Sequence, residues 1–228
     1  DSRMSIIFDE RSSDSPYIAS VTRGRTVDHG APIRPAEVHW HMVFTRYEGA
    51  THFLVVGPWS QAGVVEYGSG AEILWVKFKL GTFMPHLVTR DFLNAEIALP
   101  EARANAFWLK RAAWQFPDFE NIETFVDQLG RQNVLVRDPL VDNVLQDHAS
   151  ELAPRTVRHR FLQATGLTQK HIQQYERAQR AVALLQQGMS ILDTVFEAGY
   201  YDQPHLTRAL KRFVGYTPAQ IVGMRAPA

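Results

Sequence analysis

The chain has 228 residues, no cysteine, and a formal net charge of zero from 24 basic and 24 acidic residues. The lack of cysteine excludes disulfides, cysteine-based zinc sites and thiol nucleophiles. Hydrophobic residues make up 45% of the sequence, which is enough for a well-buried core, and the length suits two domains. No apolar run approaches about 18 residues and no signal-peptide pattern is present, so we expect a cytoplasmic protein without a membrane partner.

The first half of the chain predicts a β-rich domain. Short runs of β-branched and aromatic residues, separated by Gly, Pro and Ser at roughly 10-residue spacing, are typical of a small sandwich or barrel. The runs are VFTRY (43–47), HFLVVG (52–57), AGVVEYG (62–68) and EILWVKFKL (72–80).

Two helical segments are predicted to follow, Pro100–Trp114 and Phe119–Arg131, with Pro117 between them. We interpret the second segment as the first helix of a separate helical domain. The predicted domains are therefore residues 1–117 and 118–228.

Three groups of residues in the N-terminal half are candidates for binding. Arg23 and Arg25 suit either an anionic effector or a solvent-facing role. The His-x-His pair His39 and His41, with His52 nearby, suits a metal site on a strand, although no carboxylate ligand is evident. The tryptophans suit a ligand pocket, an interface or a core; all five lie before residue 118, at positions 40, 59, 75, 108 and 114.

The C-terminal part contains an internal repeat with an offset of about 49 residues. The repeat aligns apolar, glycine and threonine positions in the same order, so we expect one helical unit to occur twice. The aligned pairs are Val157 with Leu206, Phe161 with Leu210, Gly166 with Gly215, Thr168 with Thr217, and Ile172 with Ile221.

The second copy has the pattern of a helix-turn-helix. Gly199 ends one helix, Asp202 is a good N-cap for the next, and Pro204 fits its first turn. The predicted buried stripe is Leu206, Leu210 and Phe213. The remaining surface is rich in hydrogen-bond donors, as a helix in the DNA major groove requires, and consists of Gln203, His205, Thr207, Arg208, Lys211 and Arg212.

These motifs resemble a known family. The run GYYDQPHLTRALKRFVGYTPAQI (199–221) resembles the second helix-turn-helix of the AraC/XylS family of bacterial transcription regulators, and RTVRHRFLQATGLTQKHI (155–172) resembles the end of the first. The resemblance covers the last 90 to 110 residues or so and implies a tandem helix-turn-helix that binds promoter DNA. It also implies a cupin-like N-terminal domain for effector binding or dimerisation.

The first copy departs from the family pattern, because Glu151 and Ala153 stand where the family usually has a turn glycine and a capping serine. A missing cap costs about 1 kcal/mol, so we expect a less rigid first recognition helix whose contacts favour phosphates over bases. Its predicted DNA-contacting residues are Arg155, Thr156, Arg158 and His159, and Arg160 is expected to add to the same basic surface.

A continuous helix is predicted from Thr168 to Gln187, since this segment lacks Gly and Pro and carries an apolar stripe. It would span about 30 Å, close to the roughly 34 Å that separates successive major-groove faces on one side of DNA. Residues 140–228 hold 10 basic and 7 acidic residues, against 14 and 17 in residues 1–139, which favours a local positive face.

The sequence thus predicts an α+β protein, with a β-rich domain followed by an all-α domain of two helix-turn-helix motifs joined by a linker helix. The expected function is non-catalytic, sequence-specific transcription regulation, with recognition helices at about 154–165 and 203–213 and no metal or cofactor. Expected partners are double-stranded promoter DNA, a small-molecule effector, RNA polymerase in the case of an activator, and a second copy of the chain. The alternative is a small cupin-type metal-dependent enzyme with a structural helical region.

Overall fold

The computed structural model describes residues 6–103 and 105–224. Residues 1–5 and 225–228, at the outer ends of the two predicted domains, and residue 104, in the predicted segment Pro100–Trp114, lie outside the described residues.

A six-stranded antiparallel sheet forms the centre of the N-terminal part. Its strands are β1 (Ile6–Ser12), β2 (Ile18–Thr26), β4 (His41–Tyr47), β5 (Ala50–Val56), β7 (Glu72–Phe78) and β9 (Glu96–Leu99). Their order across the sheet is β1-β2-β7-β4-β5-β9. Two short two-stranded sheets accompany it: β3 (Ile33–Arg34) with β6 (Gly63–Val64), and β8 (Thr82–Phe83) with β13 (Val136–Arg137).

The β-rich prediction is confirmed, although one predicted run forms much less strand than expected. Three of the runs correspond to β4, β5 and β7. Of the run at residues 62–68, only Gly63 and Val64 are in a strand, and they pair with the equally short β3.

The segment Pro100–Trp114 is not helical as predicted but forms a three-stranded sheet. Its strands are β10 (Glu101–Arg103), β11 (Ala106–Leu109) and β12 (Ala112–Gln115). Lys110 and Arg111 both adopt positive φ, and Leu109 pairs with Ala112, so the two residues form the tight turn that fits a hairpin. The helix-favouring composition is therefore overridden by the turn and by burial of Phe107 and Leu109.

The helix α1 (Ile122–Arg131) belongs to the N-terminal core. It begins three residues later than predicted, because the Asp118 carboxylate accepts hydrogen bonds from the main-chain N–H groups of Glu120 and Asn121 and holds a turn there. Its apolar residues pack against the sheet in one cluster with Phe44 and Phe53. This helix thus packs with the strands, not with the helices that follow it, while the division at residue 117 stays a prediction.

Six further α-helices follow within the described residues. They are α2 (Leu140–Leu145), α3 (Pro154–Thr165), α4 (Gln169–Gln186), α5 (Ile191–Glu197), α6 (Gln203–Phe213) and α7 (Pro218–Gly223). A 3₁₀ helix, Thr89–Phe92, lies earlier in the chain and packs against α3.

The helices form two apolar clusters, and each includes residues of the N-terminal part. Leu206, Leu210 and Phe213 of α6 pack with α4, α5, α7 and Ala36. Phe161 and other residues of α3 pack with α2, α4 and Val38. The sheet domain is therefore in contact with both predicted recognition helices.

Candidate DNA interface

The repeat seen in the sequence is a repeat of helix ends and caps. Gly166 and Gly215 both adopt the left-handed conformation, with φ of 73° and 89°. Thr168 then caps α4 by accepting from the main-chain N–H of His171, and Thr217 caps α7 by accepting from that of Gln220, each at 3.2 Å. The two copies therefore end α3 and α6 in the same way, with a left-handed glycine followed by a threonine that caps the next helix.

Helix α6 has a well-defined start and a fully buried stripe. The Asp202 carboxylate accepts a hydrogen bond of 2.7 Å from the main-chain N–H of His205, and Pro204 lies in the first turn. Leu206 and Leu210 are fully buried and Phe213 nearly so. These contacts fix the rotation of the helix about its axis, which decides the side chains that face outward.

The outward face of α6 carries most of the predicted contact residues. Arg208 and Lys211 lie opposite the buried stripe and are exposed, as are Gln203 and Arg212. Among the described residues, none of the three cations at 208, 211 and 212 has an acidic group within 4.0 Å. Their charges are therefore free to meet phosphates or base edges.

Two predicted residues of α6 lie on its flanks instead. Thr207 is half-buried, and so is His205, whose ring meets the ring of Tyr200 edge-on at 5.1 Å between centroids. The guanidinium of Arg177 in α4 lies 5.9 Å from the centre of the same tyrosine ring. His205 is thus partly held by its own protein, while Arg177 comes near the N-terminal end of α6.

The C-terminal end of α6 docks on the N-terminal domain. Its last-turn carbonyls at Arg212 and Phe213 accept hydrogen bonds, both of 2.7 Å, from the main-chain N–H groups of Ala62 and Ala36. A side chain at Gly215 would place its Cβ 2.4 Å from the Ile33 methyl group, so this turn glycine also permits the close approach.

Helix α3 presents a second basic face but lacks a side-chain cap. Its N-cap is Ala153, and no side chain accepts a hydrogen bond there, in keeping with the departure noted in the sequence. Four predicted residues are exposed: Arg155, Thr156, Arg158 and His159.

Arg160 does not join the basic face of α3 as expected. Its guanidinium donates two hydrogen bonds, of 2.9 and 2.6 Å, to the carboxylate of Asp138. The positive charge is thereby paired within the protein, and the ion pair joins α3 to the segment after β13.

The linker helix α4 has 18 residues and agrees with the predicted segment to within one residue at each end. At 1.5 Å per residue it is about 27 Å long, close to the roughly 34 Å between successive major-groove faces. Its buried residues, including Ile172 and Leu185, join the clusters of both α3 and α6.

Sequence reasoning missed two residues near α6, Tyr201 and Arg177. Tyr201 lies in the turn between α5 and α6 and has a 90% exposed side chain, which is unusual for so large an aromatic residue. The tandem tyrosines before the capping aspartate were a usable signal for it. Arg177 is near α6 only through the tertiary fold, so no sequence pattern pointed to it.

The structure places the candidate residues of the N-terminal domain in different environments. Trp40 and Trp114 are core residues, whereas Trp108 is 46% exposed and Trp59 carries the guanidinium of Arg34 at 3.8 Å from its ring centre. Among residues 6–103 and 105–224, no group of three His, Cys, Asp or Glu side chains is placed to hold a metal ion. Arg23 and Arg25 line an open cavity at the end of the sheet.

The predicted metal histidines instead take part in a half-buried charge cluster around Glu37. Its carboxylate lies 2.6 Å from His39 Nδ1, 2.9 Å from Lys77 Nζ and 4.0 Å from His41 Nε2. Burial alone would raise the pKa of Glu37, but the hydrogen bond from His39 and the nearby cations hold the pKa well below its usual range. Burial lowers the pKa of His41 to about 4, against the opposing effect of Glu37.

No helix in the described part of the chain combines the length and the apolar character that a membrane crossing requires.

Comparison with known proteins identifies the helical part. Residues 148–223 match a family model described as a helix-turn-helix domain. No curated protein sequence matches the chain. Two structures of ToxT from Vibrio cholerae, with 9% sequence identity, match over 98% and 99% of this chain and all of theirs, but the TM-scores are only 0.35 and 0.36. Residues 148–223, which contain the two repeated helix ends and the two basic helices, are therefore a helix-turn-helix domain.

Proposed function

We propose that the chain is a sequence-specific transcription regulator that reads adjacent major-groove segments of promoter DNA with α3 and α6. The observation that carries the proposal is the pair of exposed basic helix faces on α3 and α6, with one continuous helix, α4, between them. Cations without acidic partners neutralise phosphates, and arginine reads guanine edges in the major groove.

The two helices are expected to contribute differently. On α6, Gln203 and Arg208 near the N-terminal end would face the bases, with the half-buried His205 and Thr207 on the flanks beside them. Lys211 and Arg212 lie in the last turn and would meet phosphates.

On α3, the start of the helix has no side-chain cap. Arg155, Thr156, Arg158 and His159 would therefore contribute to affinity more than to sequence preference, because phosphate contacts tolerate variation in position better than base contacts do.

The N-terminal domain would modulate DNA binding, and no catalytic role is proposed for it. Its backbone bonds to the end of α6 and its packing against α3 connect it to both recognition helices. A small-molecule effector or a second copy of the chain would act through these contacts. If the protein is an activator, RNA polymerase is a further partner.

Selection of bound DNA from a random duplex library tests the function. The regulator hypothesis predicts a consensus with two blocks about one helical turn apart, the stronger one assigned to α6. The affinity for the selected site should fall linearly with salt on logarithmic axes, because condensed counterions are released. Recovery of no consensus, or binding that is independent of salt, would contradict it.

The domain division can be tested with two fragments. The predicted fragment 118–228 carries α1, whose apolar face would lose its partners in the sheet, whereas a fragment from residue 136 omits that helix. We expect both to bind DNA, with the shorter one less prone to aggregation. If only the longer fragment folds, α1 belongs with the helical domain in solution and the division at residue 117 is supported.

A further inference from the structure

The start of α6 has two neighbours that its cap and its buried stripe do not use, the side chains of Tyr201 and Arg177. Tyr201 directly precedes the capping residue Asp202 and is 90% exposed, whereas Tyr200 before it is buried in the same cluster as the stripe of α6. Tyr200 therefore supplies the packing at this turn, and Tyr201 adds little to it. A ring of this size left in water beside a helix end indicates a surface that a partner covers.

Arg177 reaches the same end of α6 from the linker helix α4. Its guanidinium lies 5.9 Å from the ring centre of Tyr200, and that ring meets the ring of His205 edge-on at 5.1 Å. Since His205 is in the first turn of α6, these contacts place a cation of α4 beside that turn. The tyrosine ring also restricts the guanidinium, which reduces the entropy that a further contact would cost.

The charge of Arg177 is not neutralised within the described part of the chain. Among residues 6–103 and 105–224, no acidic group lies within 4.0 Å of its guanidinium. The Asp202 carboxylate is engaged as the cap of α6, through the main-chain N–H of His205. A phosphate that approached along the helix axis would meet this carboxylate, so a favourable contact has to come from a cation beside the axis. Arg177 is such a cation.

The partner that suits these two side chains is the sugar-phosphate backbone of DNA. A guanidinium donates two hydrogen bonds to a phosphate, and a phenol adds a neutral donor. In a helix-turn-helix the N-terminal residues of the recognition helix enter the major groove, so groups beside that end lie next to the DNA strand that borders the groove. Contacts of this kind add affinity without reading sequence.

We propose that Arg177 and Tyr201 bind the DNA backbone beside the start of α6, each through a hydrogen bond to a phosphate. The proposal rests on the regulator function above and adds to it a second role for the linker helix. In this role α4 contacts DNA itself, in addition to separating α3 from α6. Both residues then act on the affinity for any duplex, because they contact the backbone and not a base.

The test of Arg177 is fluorescence anisotropy of the full chain on the selected duplex and on a scrambled duplex, each over a salt series. At about 100 mM salt, Arg177→Gln should weaken binding to both duplexes by about tenfold, and it should make the slope of log affinity against log salt shallower by about 0.9. Arg177→Lys should keep the slope, because it keeps the charge. The matched control is Arg180→Gln, at an exposed arginine three residues further along α4, which should change neither quantity.

Two further variants separate binding from packing. Arg177→Met keeps an unbranched chain beside the ring of Tyr200 and should show the same change of slope as Arg177→Gln. Tyr201→Phe removes only the hydroxyl of an exposed ring. It should weaken binding to both duplexes by about threefold and leave the salt slope unchanged, because a neutral donor releases no counterion.

The outcomes distinguish this inference from the regulator function. Unchanged affinity in folded Arg177→Gln or in Tyr201→Phe would overturn the inference. A loss of affinity with an unchanged slope in both Arg177→Gln and Arg177→Met would also overturn it, since Arg177 would then act only by packing on Tyr200. The function is judged on the unmodified chain. A recovered consensus with unaffected variants would refute the backbone contacts alone, whereas absence of DNA binding would refute both.

Discussion

Replacing Arg208 with alanine tests the orientation of α6 on DNA most directly. The side chain is exposed, lies opposite the buried residues Leu206 and Leu210, and has no acidic partner among the described residues. Alanine has the highest helix propensity, and no buried group loses a partner, so the free energy of unfolding should change by less than about 0.5 kcal/mol. Any loss of DNA affinity would then report on binding alone.

The expected loss of DNA affinity is about 1 to 3 kcal/mol, or roughly 5- to 150-fold, with a relaxed preference at one or two base pairs. Lys211→Ala serves as the comparison, because Lys211 lies in the last turn and should meet a phosphate. The substitution should weaken binding to all duplexes alike and make the slope of log affinity against log salt shallower by about 0.9. Between about 50 and 200 mM salt, the ratio of the variant's affinity to that of the unmodified chain should therefore change by about 3.5-fold.

Fluorescence anisotropy over a salt series, with the selected site and single-base variants, measures both effects. Arg131→Ala, on α1, is the matched exposed-arginine control. A folded Arg208→Ala protein with unchanged affinity and unchanged base preference would show that this face of α6 does not lie in the groove.

Three further predictions concern stability. Leu210→Ala should lower the free energy of unfolding by about 2 to 5 kcal/mol in urea titrations, since it opens a cavity at a fully buried position, while Leu192→Ala, at a 61% exposed leucine, should have little effect. Thr217→Ala removes a capping box and should cost about 1 kcal/mol in the same assay; an unchanged midpoint would show that the cap contributes nothing. The pKa of His41 is about 4 in the folded state, against 6.5 for an unperturbed histidine, which stands for the unfolded chain. As the pH drops from 6.5 to 4, the unfolded chain binds this proton before the folded chain does, so the free energy of unfolding should fall by up to about 3 kcal/mol. The loss should be absent in His41→Gln and retained in His52→Gln, which changes an exposed histidine.

The helical domain could be predicted from the sequence because its signals are local. A terminal glycine, a capping residue and the spacing of apolar residues all lie within one short segment, as for Gly199, Asp202, Leu206 and Leu210. Each of these has the predicted role in the structure. The missing side-chain cap of α3 at Ala153 could be predicted for the same reason.

The errors arose where tertiary structure decides the conformation. The segment from 100 to 114 has the composition of a helix, yet Asn105, Lys110 and Arg111 adopt positive φ and turn it into strands. Arg160 faces Asp138, which is 22 residues away in sequence, so no local pattern reveals the pair. Among the N-terminal candidates, Arg23 is paired with Asp9 of the neighbouring strand at 2.9 Å, a contact that depends on strand register and not on local sequence.

The two hydrogen bonds at the end of α6 join main chain to main chain, so the bonded groups themselves do not depend on side-chain identity. The donors are the N–H groups of Ala36 and Ala62, so proline at either position removes a donor, whereas a side chain larger than alanine at the buried Ala36 acts through packing instead. Two such junctions could therefore share geometry without sharing sequence, and exchanging the sheet domain between proteins would depend on matching backbone positions. Proline scanning of the two loops, not alanine scanning, is the mutagenesis that would expose this junction.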